Sequence, residues 1–366
     1  MKIAFFISQI NKGGAERDMV SLANYMAKDN DVSVILLDGS QSEYQLSNTV
    51  AKHILGDGIT QKRSFKAIFK RIIDLRKIIV ENNIECVYCF APLYAIYTLL
   101  SMIGVRNKCK VICAVHYNPF YREKFQGRLN RLLERIVLPR ADGFVFLCNR
   151  MKEYYSYSKR IQRKSIIIPN GLVIDGMKDD VIPFLAREYN RMCAVGRLDP
   201  VKDYPTMIRV FSQFHKKHTD FFLDIYGDGN DRERIERVIS ELNADDYVFL
   251  HGNVSDVIER IEKTRYFLMT SESESWGLSL MEAMATGLVC ISFDCDFGPR
   301  EFICNKVNGF LVPNRSEKLL LDAMEEAVGD IESSETISRN ALSVREKYKA
   351  DDILLKHKKY IESVIR

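Results

Sequence analysis

Short apolar runs alternate with helical segments along the whole chain, and few folds accommodate that rhythm. KIAFFIS (2–8), VSVILL (32–37), CVYCF (86–90), KVICAVH (110–116), GFVFLC (143–148) and SIIIPNG (165–171) form a first series. RMCAVG (191–196), FFLDIYG (221–227), YVFLHG (247–252), YFLMTS (266–271), LVCISF (288–293) and GFLVP (309–313) form a second. Runs that are apolar at every position belong to strands covered on both faces, and the helices between them supply the crossovers of parallel sheets. One sheet of eleven or so strands is improbable on size grounds. The pattern therefore predicts an α/β chain of two doubly wound, Rossmann-like domains, residues 1–175 and 176–350, joined through the polar stretch VIDGMKDDVIPF. The tail from 335 onward reads as two helices.

A length of 366 residues suits two domains of ordinary size, and 46% hydrophobic with 28% charged residues is a globular balance. No apolar run reaches the 18 residues that a membrane span needs. The opening MKIAFFISQINKGG is too short in its apolar part for a secretion signal and reads as a first buried strand. Nine cysteines, an odd number set mostly in apolar runs, suggest a reducing cytoplasm. Cys86 and Cys89 form a CxxC followed by Cys109 and Cys113, but these lie in strand-like runs whereas zinc knuckles sit in turns, so no metal site is expected.

Charge is unevenly placed. Residues 1–175 carry 27 Lys+Arg and 15 Asp+Glu; residues 176–366 carry 26 and 34. The excess of positive charge gathers in 62–80 and 121–140, where the first segment spaces apolar residues 65, 68, 69, 72, 75 and 79 as a helix would. Basic amphipathic helices can lie on an anionic bilayer, or simply pack on a core and solvate their charges. Two such segments in one half favour contact with an anionic membrane surface, and hence a peripheral position on its cytoplasmic side. No nucleic-acid motif accompanies the charge, so no nucleic-acid partner is expected.

In open parallel sheets, ligands bind beyond the carboxyl ends of the strands. The unusual clusters fall at such ends. TSESESWGLSLMEAMATG (270–287) places Glu274 in a loop, opens a helix near Trp276 and Gly277, and sets Glu282 eight residues after Glu274. The helix N-terminus between the two carboxylates is a seat for phosphate, so the segment suits a ligand with hydroxyls and a pyrophosphate, such as a nucleotide-sugar. Acids also suit a first helical turn for purely structural reasons. GRLDPVKDYP (196–205) offers Arg197 as a planar fork and Lys202 as a point charge for a diphosphate, with Asp203 as helix cap; a solvated surface turn is the plainer reading. Gly13 and Gly14 in NKGGAER permit close backbone approach, without the GxGxxG of a dinucleotide site. His116 follows a strand and can bond a sugar hydroxyl or act as a base, although a lone His is more often structural. YGDG (226–229) and LHGNV (250–254) are weaker signals of the same kind.

Taken in order, GGAER, VHYNP, PNG, GRLDPVKD, YGDG, LHGNV, ESWGLSLMEAMATG, FGPRE and NGFLVP resemble the retaining glycosyltransferases of family 4, over about residues 1–315. GRLxxxK (196–202) and the E-x7-E from Glu274 to Glu282 carry most of the likeness. The resemblance implies a GT-B fold, two Rossmann-like domains facing a cleft, with the last helix (351–366) packing back on the first domain. It implies a nucleotide-sugar donor held by Arg197 and Lys202 at the diphosphate, Glu282 at the ribose and Glu274 near the sugar ring. Backbone amides of Ser275, Trp276, Gly277 and Leu278 would line the sugar and phosphate, Gly13 and Gly14 would close over the phosphates, and His116 would face the sugar. It implies neither metal nor cofactor, and DCD (294–296) reads as loop structure. Trp276 and Ser275 stand where the family often has Phe and Gly. FGPRE (297–301) replaces a commoner GGxxE and tilts the donor toward a UDP-hexose or UDP-N-acetylhexosamine.

The implied reaction transfers that sugar, with retained configuration, to a saccharide acceptor carried on a lipid, in the synthesis of a bacterial surface polysaccharide. Two-carboxylate glycosidase chemistry is disfavoured, because Glu282 lies in a helix beside the expected phosphate seat. A nucleotide-sugar epimerase or a non-catalytic nucleotide-sugar binder are the alternatives. The first needs acid/base groups beyond His116, and the intact Arg/Lys/Glu/Glu set speaks against the second, although by itself it establishes only binding.

Overall fold

The computed structural model describes residues 1–11, 13–39, 44–55, 65–105, 109–120, 128–174 and 179–366. The chain divides into two compact units, Met1–Gly171 with Ala350–Arg366, and Leu172–Lys349.

In the first unit β1 (Lys2–Ile7), β2 (Asp31–Leu36), β3 (Ala51–Ile54), β4 (Cys86–Cys89), β5 (Lys110–Val115), β6 (Gly143–Phe146) and β7 (Ser165–Ile167) form one sheet. Its order is β3-β2-β1-β4-β5-β6-β7, with every pair parallel. In the second, β8 (Glu188–Val195), β9 (Phe222–Tyr226), β10 (Val248–Gly252), β11 (Thr264–Met269), β12 (Val289–Asp294) and β13 (Phe310–Pro313) run β10-β9-β8-β11-β12-β13, again all parallel. The order reverses between β1 and β4, and between β8 and β11. Those two switch points are where such sheets open a crevice.

Central strands are buried on both faces, as their continuous apolar sequence requires: β11 is buried at all six positions and β4 at all four. The unexpected strand is β3. AKHI is an edge strand with mostly exposed residues, so it carries no apolar run to announce it. The tail contains three helices rather than two, Ile331–Ala341, a single turn Val344–Lys347, and Ala350–Ile365.

The last of these belongs to the first unit. Ile353, His357 and Ile361 recur every four residues as a buried stripe. Tyr360 supports it by accepting a hydrogen bond from the Phe144 amide at 2.9 Å, and Lys358 pairs with Asp29.

The basic segment at 62–80 becomes the helix Phe65–Glu81; residues 62–64 and 121–127 lie outside the described ones. The expected apolar face is only partly the packed one. Leu75 and Ile79 are buried, but Phe69 is 66% exposed, and Ile73 and Val80 are exposed with it. The helix packs beside Pro92–Ser101, which in turn packs beside Arg128–Val137. Periodicity identified the helix but not which of two apolar stripes the neighbours cover.

One buried cation organises the second unit. Arg187, 4% exposed, donates to the carbonyls of Ile182 (2.9 and 2.8 Å), Thr286 (2.7 Å) and Gly287 (3.1 Å). Burial lowers its guanidinium to about 10, which still leaves it charged. It thereby ties the start of β8 to the carboxyl end of the helix Leu278–Ala285, the end where a cation suits the helix dipole. Arg187→Met should leave these carbonyls unpaired and cost about 3 kcal/mol or more in urea denaturation. A loss under about 1 kcal/mol would show that the staple is dispensable.

Candidate functional site

In the second unit the loops after β8 and β11 lie side by side, because the two strands are neighbours at the switch point. Thr270 Oγ1 donates to the carbonyls of Lys202 (3.1 Å) and Asp203 (3.0 Å), and the Glu272 amide donates to Val201 at 2.8 Å. Lys202 closes a one-turn 3-10 helix, Pro200–Lys202. Asp203, at φ +49°, caps Tyr204–His215 by accepting from the Thr206 amide, with Pro205 in the first turn, as the sequence suggests. Burial raises the Asp203 carboxyl, and its bonds to Thr206 oppose that.

This clip brings Lys202 and Glu274 together. Lys202 Nζ donates to Glu274 Oε1 at 2.5 Å, and Ser271 Oγ donates to the same oxygen at 2.8 Å. Both side chains are largely buried, at 19% and 10% exposure, so each neutralises a charge that would otherwise be costly here. Cys295 lies close enough for Glu274 to raise its thiol and Lys202 to lower it, after burial, which raises it most.

Arg197 stands apart from this pair. It is 72% exposed and meets Asp199 at 3.3 Å. Its neighbours are fixed by backbone: Leu198 donates to Asp228 at 3.0 Å and accepts from Asp231 at 2.8 Å. The YGDG glycines serve this crossing. A Cβ on Gly227, at φ +133°, would lie 2.0 Å from the Gly196 carbonyl oxygen, and one on Gly229 would lie 2.5 Å from that of Leu198. Close approach of two loops, rather than of a ligand, explains both residues.

Gly277, at φ +88°, is the N-cap of the eight-residue helix Leu278–Ala285, and Leu278 is its first residue. Ser275 and Leu278 are half-buried, as is Glu282 one turn further into the helix. The Trp276 ring turns inward. It is 2% exposed and meets Phe302 and Tyr348 edge-on, with centroids 5.0 and 5.8 Å away. Trp276 thus anchors the loop from behind, while its backbone presses on Gly298, where a Cβ would fall 1.9 Å from the Trp276 carbonyl oxygen. Gly298 also sits at φ +92°, so FGPRE needs its glycine for both space and conformation.

In the first unit, Gly13 caps and Gly14 begins the helix Gly14–Met26. Gly13 is extended, at φ −148°, so its backbone could accept any residue. The Glu16 carboxylate folds back until its Oε2 would lie 2.2 Å from a Cβ, but as the end of a flexible side chain it can move aside, so neither backbone nor packing demands glycine here. The carboxylate stands at a helix N-terminus, where negative charge is favoured. Lys12 of that loop lies outside the described residues.

His116 follows β5, is 7% exposed and rests against Phe90 with ring centroids 4.8 Å apart. Its Nδ1 is 3.8 Å from Asp18 Oδ2, beyond hydrogen-bond length. Burial drives the imidazole down to about 3, opposed by the Asn170 side chain, and drives Asp18 up to about 7, opposed by Arg17. Asp18, Asn170 and His357 were not singled out from sequence. Asp18 had a signal: it falls four residues before Leu22 on the buried face of its helix. His357 had none, because its neighbours come from 240 or more residues away.

The comparisons with known proteins agree with this architecture. Residues 178–344 match the model of "Glycosyl transferases group 1", and residues 12–175 match that of "Glycosyltransferase Family 4". The chain belongs to the family 4, group 1 glycosyltransferases. A relative from Limosilactobacillus reuteri, the UDP-N-acetylglucosamine–peptide N-acetylglucosaminyltransferase GtfA subunit, is 30% identical over 58% of this chain, which spans only 43% of that protein. An alpha-1,4-N-acetyl-D-galactosaminyltransferase of Campylobacter jejuni, named for its undecaprenol-diphosphate-linked acceptor, is 27% identical over 93% of this chain and 92% of its own length. Among solved structures, Anabaena HepE in complex with UDP-glucose superimposes with a TM-score of 0.80 at 15% identity, covering 99% of this chain and 100% of that one. That likeness shows the GT-B type of fold. The glycosyltransferase is therefore of the architecture that its strand rhythm predicts.

The contact between Trp276 and Gly298 is testable by itself. Gly298→Ala should cost about 2 kcal/mol or more in thermal or urea unfolding. Gly329→Ala, where nothing lies within 4 Å, serves as the tolerated control. Equal stability of the two variants would show that the loop relaxes freely.

Proposed function

We propose that this glycosyltransferase moves a hexosyl or N-acetylhexosaminyl group from a UDP-sugar to a lipid-linked saccharide, with retention, in bacterial surface polysaccharide synthesis. The observation that carries the reading is the Lys202–Glu274 pair, held at the β8/β11 switch point beside the N-terminus of Leu278–Ala285. The Limosilactobacillus relative is named for a UDP-sugar donor and the Campylobacter relative for a lipid-linked acceptor.

In this reading the leaving group is a nucleoside diphosphate, and its stabilisation is electrostatic. Lys202 supplies a charge already desolvated and positioned. Arg197, exposed and on a short loop, swings to the diphosphate as a planar fork. Amides of Ser275, Trp276, Gly277 and Leu278 take phosphate and sugar oxygens. Glu282 takes the ribose hydroxyls. Glu274 takes a sugar hydroxyl with its second oxygen while its first holds Lys202. Gly13 and Gly14 cover the phosphates, and His116 faces the sugar. No protein nucleophile is invoked; attack comes from the side of the departing phosphate.

Calorimetric titration tests the site. Wild type should bind UDP in preference to GDP or ADP. Arg197→Ala should weaken UDP by roughly tenfold or more, about 1.4 kcal/mol. Glu274→Gln removes a carboxylate from a site meant for an anion, so UDP binding should persist while sugar transfer falls at least about a hundredfold. Binding of no nucleotide, or equal transfer by Glu274→Gln, would sink the assignment.

The same proposal places the protein on the cytoplasmic face of an anionic membrane. Among the described residues no helix is long and apolar enough to cross one. Phe69 and Ile73 on one helix, Ile103, and Leu132 and Ile136 on another are exposed apolar residues of the first unit. Lys66, Lys70, Arg76, Lys77 and Arg135 are exposed on the same two helices. Apolar insertion together with basic charge is what binding to anionic headgroups needs. The protein should pellet with phosphatidylglycerol vesicles at low salt and be largely released at about 0.5 M salt, where charges are screened over a few ångströms. Phe69→Ser with Leu132→Ser should weaken the pelleting at every salt concentration. Equal pelleting with neutral phosphatidylcholine would argue against this surface.

A further inference from the structure

Five polar side chains converge in the interior of the first unit: Asp18 from the helix Gly14–Met26, Tyr88 from β4, His116 after β5, Asn170 after β7, and His357 from the C-terminal helix. None is more than 8% exposed. Buried polar groups are nearly always paired, because an unpaired one keeps its desolvation cost. Among the described residues, Asp18 Oδ2, both ring nitrogens of His116, Asn170 Oδ1 and His357 Nε2 have no partner in full hydrogen-bond geometry, although the Asn170 side chain lies close enough to His116 to favour its charged form. The one bond joining two of the five in full geometry is Tyr88 Oη to His357 Nδ1, at 3.0 Å.

The gap between Asp18 and His116 is small. Oδ2 and Nδ1 are 3.8 Å apart, so a shift of under an ångström makes a hydrogen bond. Phe90, 4.8 Å away by ring centroid, supports the imidazole from one side and limits such a shift to a slide or tilt of the ring.

We propose that Asp18 is a positioning residue for His116: by its contact with Nδ1 it decides whether Nε2 offers a proton or a lone pair. Two states follow. With a neutral carboxyl, Asp18 donates to Nδ1 and the ring proton sits on Nε2. With an ionised carboxylate, Nδ1–H donates to Asp18 and Nε2 keeps a lone pair. Passing from the first to the second moves the carboxyl proton to Nδ1 and releases the Nε2 proton to solvent, so O–H and Nε2–H break and Nδ1–H forms. The ring is neutral in both.

The surroundings make Asp18 the group that titrates. Burial raises it to about 7, with Arg17 on its own helix opposing. Burial holds His116 at about 3, and holds His357 at about 3 with the help of His116. Tyr88, which also faces Asp18, Tyr360 and Cys113, is pushed well above its ordinary range. Asn170 is neutral at every pH. Between about pH 5.5 and 8.5 the switch therefore rests on one carboxyl.

The catalytic consequence rests on the reading that His116 faces the donor sugar, but the tautomer can be measured without it. Full-length protein labelled with 15N-histidine would be followed by long-range 15N–1H correlation across that pH range, with His116→Gln supplying the assignment. In wild type the two ring nitrogens of His116 should exchange their protonated and unprotonated shifts in one step near neutrality. Asp18→Asn should abolish the step, and Asp18→Glu should restore one with a displaced midpoint. The pH profile of kcat for sugar transfer should lose the matching limb in Asp18→Asn, with KM for the donor changed by less than about threefold against a kcat change of about tenfold or more. A His116 pattern constant with pH in wild type, or a step that survives in Asp18→Asn, would overturn the proposal. Should Asp18→Asn fail to fold, the wild-type step and its displacement in Asp18→Glu decide the matter. Absence of transfer from any UDP-sugar would instead remove the transferase reading and leave the tautomer measurement standing.

Discussion

The site of the second unit depends on the parallel pairing of β8 with β11. Tyr266 and Phe267 stand opposite Met192 and Cys193, so the two strands end level and their loops emerge together. Thr270 and the Glu272 amide then fasten the loop at 201–203. Only after that fastening can a lysine at 202 reach a glutamate 72 residues away. The crossover from β8 leads to β9 on one side, and the chain returns through β11 on the other. In sheets of this kind such a divergence is where a crevice opens.

Charge at the site is arranged before any ligand arrives. Lys202 rests on Glu274 in the second unit. In the proposed function, holding Lys202 in place in advance lowers the reorganisation needed when charge develops on a leaving diphosphate. Arg197 is the counter-example, a charge kept largely in water and paired with Asp199 on its own loop.

Several residues were legible in the chain as unusual but not as what they are. Trp276 stands within a ligand-like motif, yet its ring is a packing anchor against Phe302 and Tyr348. Gly227 and Gly229 suggest a ligand turn, and they accommodate the crossing of Gly196–Leu198. Gly13 looks like a conformational glycine, yet its backbone is extended and what folds over it is the movable carboxylate of Glu16. In each case the residue type showed that something comes close, and only the packing showed what. The strand β3 was missed for a different reason, since an exposed edge strand has no apolar pattern to read.

The sequence by itself determined the class of fold, most helices and strands, the two carboxylates eight residues apart, and the family. These follow from local chemistry: continuous apolar runs must be covered on both faces, and glycine, proline and aspartate mark the ends of elements wherever they stand. Tertiary structure alone decided which apolar stripe of Phe65–Glu81 is packed, that Lys202 rather than Arg197 meets Glu274, and that Asp18, His116 and His357 share one interior. Such pairings join residues far apart in the chain. Burial and distance are properties of the assembled sheet, and neither is written in the spacing of residues along a strand or helix.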